Sequence, residues 1–243
     1  MINKTLYRYK PVYKKLASLK KNVQNRKKIF KFRNQKWQFL VTKITKMSKI
    51  SKTNCYYKFY DQNIYYTPKF NNFFSKNYKQ NLLTRKGFNL FYGSLTKKYL
   101  KNIVSRSFLK SNHTKNRINS KLFFKEFLES RLDIILYRSH FTLSVRNARQ
   151  LISHGHVYVN NMCVKDSSFL VKNGDLITFS SKSHKLIEYY LVNSDLWPLP
   201  PRYLQISYKI FQISIIDDIK LTNDAANFFI WLDLNNVMQA YKK

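Results

Sequence analysis

The basic residues of this 243-residue chain are concentrated in its first half, and that asymmetry limits how the chain can fold. Residues 1–125 contain 32 Lys and Arg with one acid, Asp61, whereas residues 126–243 contain 13 Lys and Arg with 11 acids. A segment with this excess of like charge repels itself when it compacts, and it attracts phosphate backbones through counterion release. We therefore expect the first half to be bound permanently to a polyanion, and nucleic acid is the predicted partner.

Composition excludes several other classes of protein. Hydrophobic residues make up 44% of the chain, enough to bury a core, yet only four Gly residues occur, and none are spaced for the phosphate loop of a nucleotide enzyme. No run approaches the roughly 20 apolar residues that a membrane span requires. Cys55 and Cys163 form no C-x-x-C pair, and Asp217 and Asp218 have no accompanying nucleophile. The sequence thus predicts no catalytic site, no cofactor, no disulfide framework and no membrane span.

Basic and aromatic residues alternate over residues 1–82. Helical periodicity is weak there, and the stretch 71–81 indicates irregular structure. One interpretation is a solvated, disordered tail. The interleaved aromatic residues favour another, an arm that folds on RNA, with Lys27, Lys28 and Arg33 on phosphates and aromatic rings on unpaired bases.

A helix is predicted from Asn89 to Lys110, where apolar residues recur at helical spacing opposite a basic face that includes Lys97 and Lys98. Such a helix packs on its own domain and presents charge to RNA. It belongs to a predicted helical body domain over residues 83–125.

Residues 120–180 carry the strongest local signals. Ser120 is predicted to cap one helix, a second apolar run follows at 132–136, and Ser144 is predicted to cap a third helix that ends at Gly155. Two short strands flank a turn at Asn160 and Asn161, and a turn at 173–175 precedes a last strand at 176–179. The pattern predicts a helix–helix–helix–hairpin unit of about 55 residues.

The runs 129–138 and 148–161, followed by Gly174-Asp175, closely resemble the S-four RNA-binding domain. Residues 90–95 and 201–206 extend the resemblance to the S-four family of small-subunit ribosomal proteins. Asn160-Asn161 stands where bacterial members usually have Asn-Gly, and this version is similar to mitochondrion-encoded members. The cysteine zinc ligands of some members are missing, so no metal is expected.

The resemblance implies an α+β fold in which a basic helical N-terminal domain is completed by the C-terminal segment 181–243, with the S-four domain inserted at 126–180. It also implies a structural protein of the small ribosomal subunit that binds the 5′ domain of the rRNA early in assembly. The expected location is the body near the entrance of the mRNA channel, beside proteins of the S-three and S-five families. Messenger RNA is a further candidate partner, and no homo-oligomer is expected.

The abundance of Lys, Asn, Phe, Tyr and Ile, which have AT-rich codons, suggests an organellar genome. The predicted location is the mitochondrial matrix, on the mitochondrial ribosome, with a plastid as the alternative.

The candidate rRNA contacts are mostly basic residues of the unit and of the helix before it. Arg149 has an alternative role, pairing with Asp133 to organise the fold. His154, His156 and Cys163 superficially suggest metal ligands, but the Gly155 turn explains their positions better. The candidates outside the arm are Lys97, Lys98, Arg131, Arg138, Arg146, Arg149, Gln150, His154, His156, Lys165 and Lys172.

Two alternative functions belong to other classes. S-four domains are also appended to RNA-modifying or tRNA-charging enzymes, and a ribosome-associated RNA chaperone is the second alternative. An enzyme needs a separate catalytic domain, and the residues outside the unit are too few and too glycine-poor for a nucleotide-binding sheet. We therefore expect a protein that is not an enzyme.

Overall fold

The computed structural model describes residues 73–113, 119–194, 200–219 and 234–242, together with Leu19, Gln35, Gln38, Phe39 and Thr42, which are helical. Helix α1 belongs to one compact unit of the chain, and every later element belongs to another. The predicted arm residues Lys27, Lys28 and Arg33 lie outside the described residues. Within those four ranges, the helices are α1 (Phe73–Phe91), α2 (Lys97–His113), α3 (Ser120–Glu129), α4 (Leu132–Arg138), α5 (Val145–Ser153), α6 (His184–Val192) and α7 (Leu234–Lys242).

Two helical predictions are corrected by these bounds. The stretch 71–81, predicted to be irregular, is helical from Phe73, because it begins a long helix that continues through good helix formers such as Leu82, Leu83 and Arg85. The helix predicted from Asn89 to Lys110 is interrupted, because Gly93 and Ser94 have φ of 71° and 59° and end α1 before α2 begins. Helix α1 also crosses the predicted boundary at residue 82, and the domain boundaries remain predictions.

The second unit contains a helical layer made of α2, α3 and α7. Helix α2 buries Leu100, Ile103 and Val104 on one side, as its periodicity predicts. Helix α3 is capped by Asn119, one residue before the predicted cap, because the Asn119 side chain accepts a hydrogen bond from the Lys121 amide. Helix α7 packs against both α2 and α3, so the end of the chain returns to this layer.

The same unit contains a five-stranded antiparallel sheet. Its order is β2-β1-β3-β5-β4, so the C-terminal segment adds two strands to the predicted hairpin and last strand. The hairpin turn at Asn160 and Asn161 has φ of 48° and 66°, as predicted for a tight turn. The strands are β1 (Val157–Val159), β2 (Met162–Cys163), β3 (Leu176–Phe179), β4 (Leu204–Ser207) and β5 (Gln212–Ile215).

Helices α4, α5 and α6 cover one face of this sheet and form a hydrophobic core with it. Strand positions alternate between buried and half-exposed, and each buried Ile or Leu side chain contributes about 1.5–3 kcal/mol to folding. The mixture of helices and antiparallel strands confirms the α+β class. The core includes Leu132, Ile135, Leu136, Ala148, Leu151, Ile152, Val157, Val159, Ile177, Phe179, Ile187, Leu204, Ile213 and Ile215.

Candidate nucleic-acid interface

The third helix of the predicted unit, α5, begins and ends where local chemistry requires. The Ser144 hydroxyl accepts a hydrogen bond from the Asn147 amide at 3.2 Å, which confirms the predicted cap. At the other end Gly155 has a φ of 74°, and the amides of Gly155 and His156 donate to the carbonyls of Ile152 and Leu151. These two bonds satisfy two carbonyls of the last turn of the helix, and the chain then turns directly into β1.

This turn gathers three candidate RNA contacts, His154, His156 and Lys165, beside Cys163, and we call these four residues the Gly155 surface. The rings of His154 and His156 are 6.2 Å apart between centroids, and the Cys163 thiol donates to the Gly155 carbonyl at 3.6 Å. The Lys165 side chain passes Gly155, with Cε 3.6 Å from where a β-carbon of residue 155 would lie. His154 and Lys165 are exposed and His156 is half-buried, so cationic and aromatic groups meet here at the surface.

Other predicted contacts lie elsewhere on the surface. Lys97 and Lys98 are exposed on α2, together with Lys101 and Arg106, opposite the buried side of that helix. Lys172 is exposed beside the turn at 173–175. Each of these side chains is accessible to a phosphate backbone, as an rRNA contact requires. Their roles as rRNA contacts remain predictions.

Arg131 and Arg138, in contrast, are not placed to contact RNA. Their side chains are 4% and 3% exposed. Arg131 donates from Nε and Nη2 to Asp133, at 3.0 and 2.9 Å, and its guanidinium lies over the Tyr99 ring. Arg138 makes a similar two-bond pair with Glu129, at 3.1 and 2.8 Å. This burial corrects the prediction that Arg131 and Arg138 contact rRNA, because each guanidinium is paired with a buried carboxylate of the protein itself.

Glu129 is the centre of a buried polar network that joins three parts of the chain. Its carboxylate accepts hydrogen bonds from the hydroxyls of Tyr92, at 2.6 Å, and Tyr203, at 2.9 Å, besides those from Arg138. Burial alone raises the pKa of Glu129, but the Arg138 charge and these hydrogen bonds outweigh it and hold the pKa below its ordinary value. Burial raises the pKa of both tyrosines well above 10, so the network stays an ion pair with two neutral donors.

Arg149 also has an internal role. Its Nε donates to Asp133 at 2.7 Å, Nη1 donates to the Gly93 carbonyl at 2.6 Å, and Nη2 donates to the Tyr92 carbonyl at 3.1 Å. The pairing with Asp133 left open by the sequence is therefore the one observed. Of the three candidate rRNA contacts on α5, Gln150 is exposed, Arg146 is half-buried and Arg149 is bonded to internal groups, so the three differ in their access to phosphate.

The sequence reasoning assigned no role to Glu129 or Tyr203, or to the carbonyls of the Tyr92-Gly93 turn. One signal was present: after 125 residues with a single acid, Glu126, Glu129 and Asp133 occur within eight positions, beside Arg131 and Arg138. Acids that interrupt so basic a chain next to arginines indicate internal pairing.

Within the described ranges, no group of three His, Cys, Asp or Glu side chains is placed to hold a metal ion, the Gly155 surface included. The helices of those ranges include none that is long and apolar enough to cross a membrane.

Comparison with known proteins identifies the unit. The family model of the S4 domain, which is the S-four domain named above, matches residues 130–177. Over 97 residues the chain is 41% identical to the small ribosomal subunit protein uS4 of Sphingopyxis alaskensis, covering 40% of this chain and 44% of that protein. It is thus aligned with less than half of that relative's length.

Two further relatives align over a longer stretch. The chain is 29% identical to the small ribosomal subunit protein uS4m of Reclinomonas americana, over 73% of this chain and 72% of that protein. It is 28% identical to the uS4 protein of Pelagibacter ubique, over 69% and 78% of the two chains. Residues 130–177 therefore match the S4 domain, and over about 70% of its length the chain is similar to ribosomal proteins named uS4.

Proposed function

We propose that this chain is a structural protein of a mitochondrial small ribosomal subunit and that it binds small-subunit rRNA. The observation that carries the proposal is the S4 domain at 130–177 within alignments that reach about 70% of the chain with proteins named for the small ribosomal subunit. These relatives are ribosomal proteins by name and not enzymes, in agreement with the prediction of no catalytic activity.

The distribution of charge supports binding through two kinds of contact. The S4 unit itself is nearly neutral, with six Lys and Arg and five acids over residues 126–180, and its buried arginines are neutralised internally. It therefore docks by shape and through a few exposed groups at the Gly155 surface. The strongly basic first half supplies the bulk of the electrostatic attraction to phosphates.

The finer part of the proposal concerns place and time. We place the protein on the 5′ domain of the rRNA early in assembly, near the entrance of the mRNA channel and beside proteins of the S-three and S-five families. The mitochondrial location is supported by the relative named uS4m, although bacterial relatives are similarly close. Cell fractionation that separates mitochondria from plastids should recover the protein in the mitochondrial fraction. Recovery of the protein in the plastid fraction alone would assign it to plastids.

Sedimentation of native particles tests the main proposal. The protein should migrate with the small ribosomal subunit at low salt and remain there at moderate salt, because many phosphate contacts act together. Recovery as a free monomer with rRNA-modifying activity would contradict the proposal and favour the enzyme alternative. Association with stalled particles, and not with mature subunits, would instead favour an RNA chaperone.

A further inference from the structure

The sheet of the second unit has a face that points away from the hydrophobic core. In β1 and β3, Val157, Val159, Ile177 and Phe179 are buried, whereas the intervening Tyr158 and Thr178 are half-exposed and opposite each other in register. Successive side chains of a strand point to opposite faces. Tyr158 and Thr178 therefore lie on the side of the sheet opposite helices α4 and α5.

Neighbouring residues extend this face toward the Gly155 turn. Tyr158 lies between Thr178 of β3 and Cys163 of β2, which is its register partner in the β1–β2 pair. Beyond the strand ends, the Ser180 amide donates to the His156 carbonyl at 3.0 Å, and His156 Nδ1 lies 3.1 Å from the Ser180 hydroxyl oxygen. We call these five residues, His156, Tyr158, Cys163, Thr178 and Ser180, the outer sheet face. It carries two aromatic rings and hydrogen-bonding groups, and none of its five side chains is acidic.

The end of the outer sheet face near Gly155 has a cationic rim. Lys165 is exposed beside Gly155, and Lys182 is exposed two residues after Ser180, in the 3₁₀ turn Ser181–Ser183. The exposed imidazole of His154 lies next to that of His156. The nearest acid along the chain, Asp166, accepts hydrogen bonds from the amide and hydroxyl of Ser168.

An aromatic surface that lacks acidic side chains and has lysines at its rim suits unpaired RNA. Exposed bases stack on aromatic side chains and bond to hydroxyl groups, while lysines contact the phosphates. A duplex hides its bases and offers mainly phosphates and a shallow groove. A protein partner would need an apolar centre, whereas none of the five side chains is aliphatic and the exposed Leu176 lies only at the border of the outer sheet face.

We propose that the outer sheet face binds unpaired nucleotides of the rRNA, with bases stacked on Tyr158 and His156 and the backbone following Lys165 and Lys182. The inference rests on the proposed rRNA-binding function and adds to it the class of RNA and the surface that receives it. It assigns the strands of the S4 unit a role in contact with bases, besides that of the basic first half in contact with phosphates.

Three variants of the full-length chain test this assignment with a small-subunit rRNA transcript as the probe. Tyr158→Thr removes the ring and keeps a residue that favours strands, whereas Tyr158→Phe keeps the ring. Gln205→Thr, at an exposed position of edge strand β4, is the matched control. We expect Tyr158→Thr to weaken binding roughly five- to a hundredfold, with the salt dependence unchanged because no charge is lost. Tyr158→Phe and Gln205→Thr should bind within about twofold of the parent chain.

A fourth variant and a crosslink separate the possible outcomes. Lys165→Gln should reduce the slope of log affinity against log salt by about 0.7, the value for one contact to a single strand. In the parent complex, 4-thiouridine placed in the transcript should crosslink to peptides containing Tyr158 or His156. This measurement uses the parent chain alone, so its result does not depend on how any variant folds.

Equal binding by Tyr158→Thr and the parent chain, or equal losses for Tyr158→Thr and Tyr158→Phe, would overturn the stacking assignment and leave rRNA binding intact. Crosslinks confined to other peptides would overturn it as well. If the parent chain binds the transcript no better than tRNA at moderate salt, the proposed function itself fails.

Discussion

The Arg149 guanidinium donates from Nη1 to the carbonyl oxygen of Gly93 over 2.6 Å, across 56 positions of the chain. The neighbouring Tyr92 is held at both ends, because its carbonyl accepts from Arg149 Nη2 and its hydroxyl donates to Glu129. This short turn precedes α2, so the bonds fix the start of the helical layer against α5 of the S4 unit. These part-buried bonds tie the start of the helical layer to the S4 unit through one guanidinium.

Replacement of Gly93 by Ala should destabilise the protein. Its φ of 71° is strained for Ala, and a β-carbon would lie 2.7 Å from Val145 Cγ1 and 2.9 Å from Arg149 Nη2. We expect the free energy of unfolding to fall by about 1–3 kcal/mol, measured by thermal or urea denaturation. Gly87→Ala is the matched control, since a β-carbon within that helix meets nothing inside 4 Å, and it should be neutral or stabilising by up to about 1 kcal/mol. Equal losses in the two variants would contradict the close packing at Gly93.

Replacement of Arg149 by Ala should reduce stability more than rRNA affinity. The Asp133 side chain is fully buried and would lose one of its two arginine partners, and two carbonyls would lose their donor. The expected cost is about 2–4 kcal/mol in the free energy of unfolding. Gln150→Ala, one position along and exposed, should change it by less than about 0.5 kcal/mol. An unchanged melting temperature with a large loss of rRNA affinity would show that Arg149 reads phosphate after all.

Local chemistry explains which parts of the fold the sequence predicts. Ser144, Gly155 and the Asn160-Asn161 pair each require a particular backbone conformation, so the third helix and the hairpin follow from short-range pattern alone. Strand β5 did not follow, because Gln212–Ile215 is defined by its pairing with β3 and β4 and has no turn signal of its own.

The candidate site was harder to predict, because charge alone does not reveal burial. The burial of Arg131, Arg138 and Arg149 depends on Asp133, Glu129 and carbonyls that the fold brings near, and the cluster of acids at 126–133 is the one local sign of it in the sequence. The sequence separates His154 and Lys165 by a whole hairpin, yet the turn at Gly155 places both at one surface. The local sequence pattern predicts the helices and the hairpin, whereas tertiary packing determines which of the cationic side chains are exposed to solvent.

Removal of the Tyr203 hydroxyl should weaken the network around Glu129. In Tyr203→Phe the buried carboxylate loses a donor at 2.9 Å, which we expect to cost about 1–2 kcal/mol of the free energy of unfolding. Tyr92→Phe should cost a similar amount, and the double variant should depart from additivity because both hydroxyls serve one carboxylate. Tyr189→Phe is the control, since Tyr189 is 61% exposed on α6. Strict additivity in urea denaturation would contradict a shared acceptor.

Lys125 should make stability rise with pH in mildly alkaline solution. The residue is buried, and its burial lowers the pKa from the ordinary value of 10.5 to about 8, against a partial opposing effect of Glu129. Above pH 8 the folded state loses this proton while the unfolded chain keeps it, so the unfolded state binds more protons and the free energy of unfolding increases. The increase should be visible between pH 8 and 10, before ionisation of tyrosines in the unfolded chain opposes it.

The measurement is urea denaturation of the parent chain and Lys125→Met at pH 7, 8, 9 and 10. Lys125→Met should be the more stable protein at pH 7 and should lack the rise, whereas Lys101→Met, on the exposed face of α2, should keep the parent profile. Parallel profiles for the parent chain and Lys125→Met would mean that another group causes the pH dependence.

Deletion of residues 1–80 should change the salt dependence of rRNA binding more than its specificity. The segment contains 21 Lys and Arg and one acid, and each phosphate contact that is lost removes about 0.9 from the slope of log affinity against log salt on duplex-like sites. Filter binding at several salt concentrations should therefore give a much flatter slope, while preference for small-subunit rRNA over tRNA persists through the S4 unit. The double variant Lys97→Gln/Lys98→Gln calibrates the measurement, because two contacts account for at most about 1.8 of slope. An unchanged slope after the deletion would show that the first 80 residues do not bind rRNA and that the charge serves another anion.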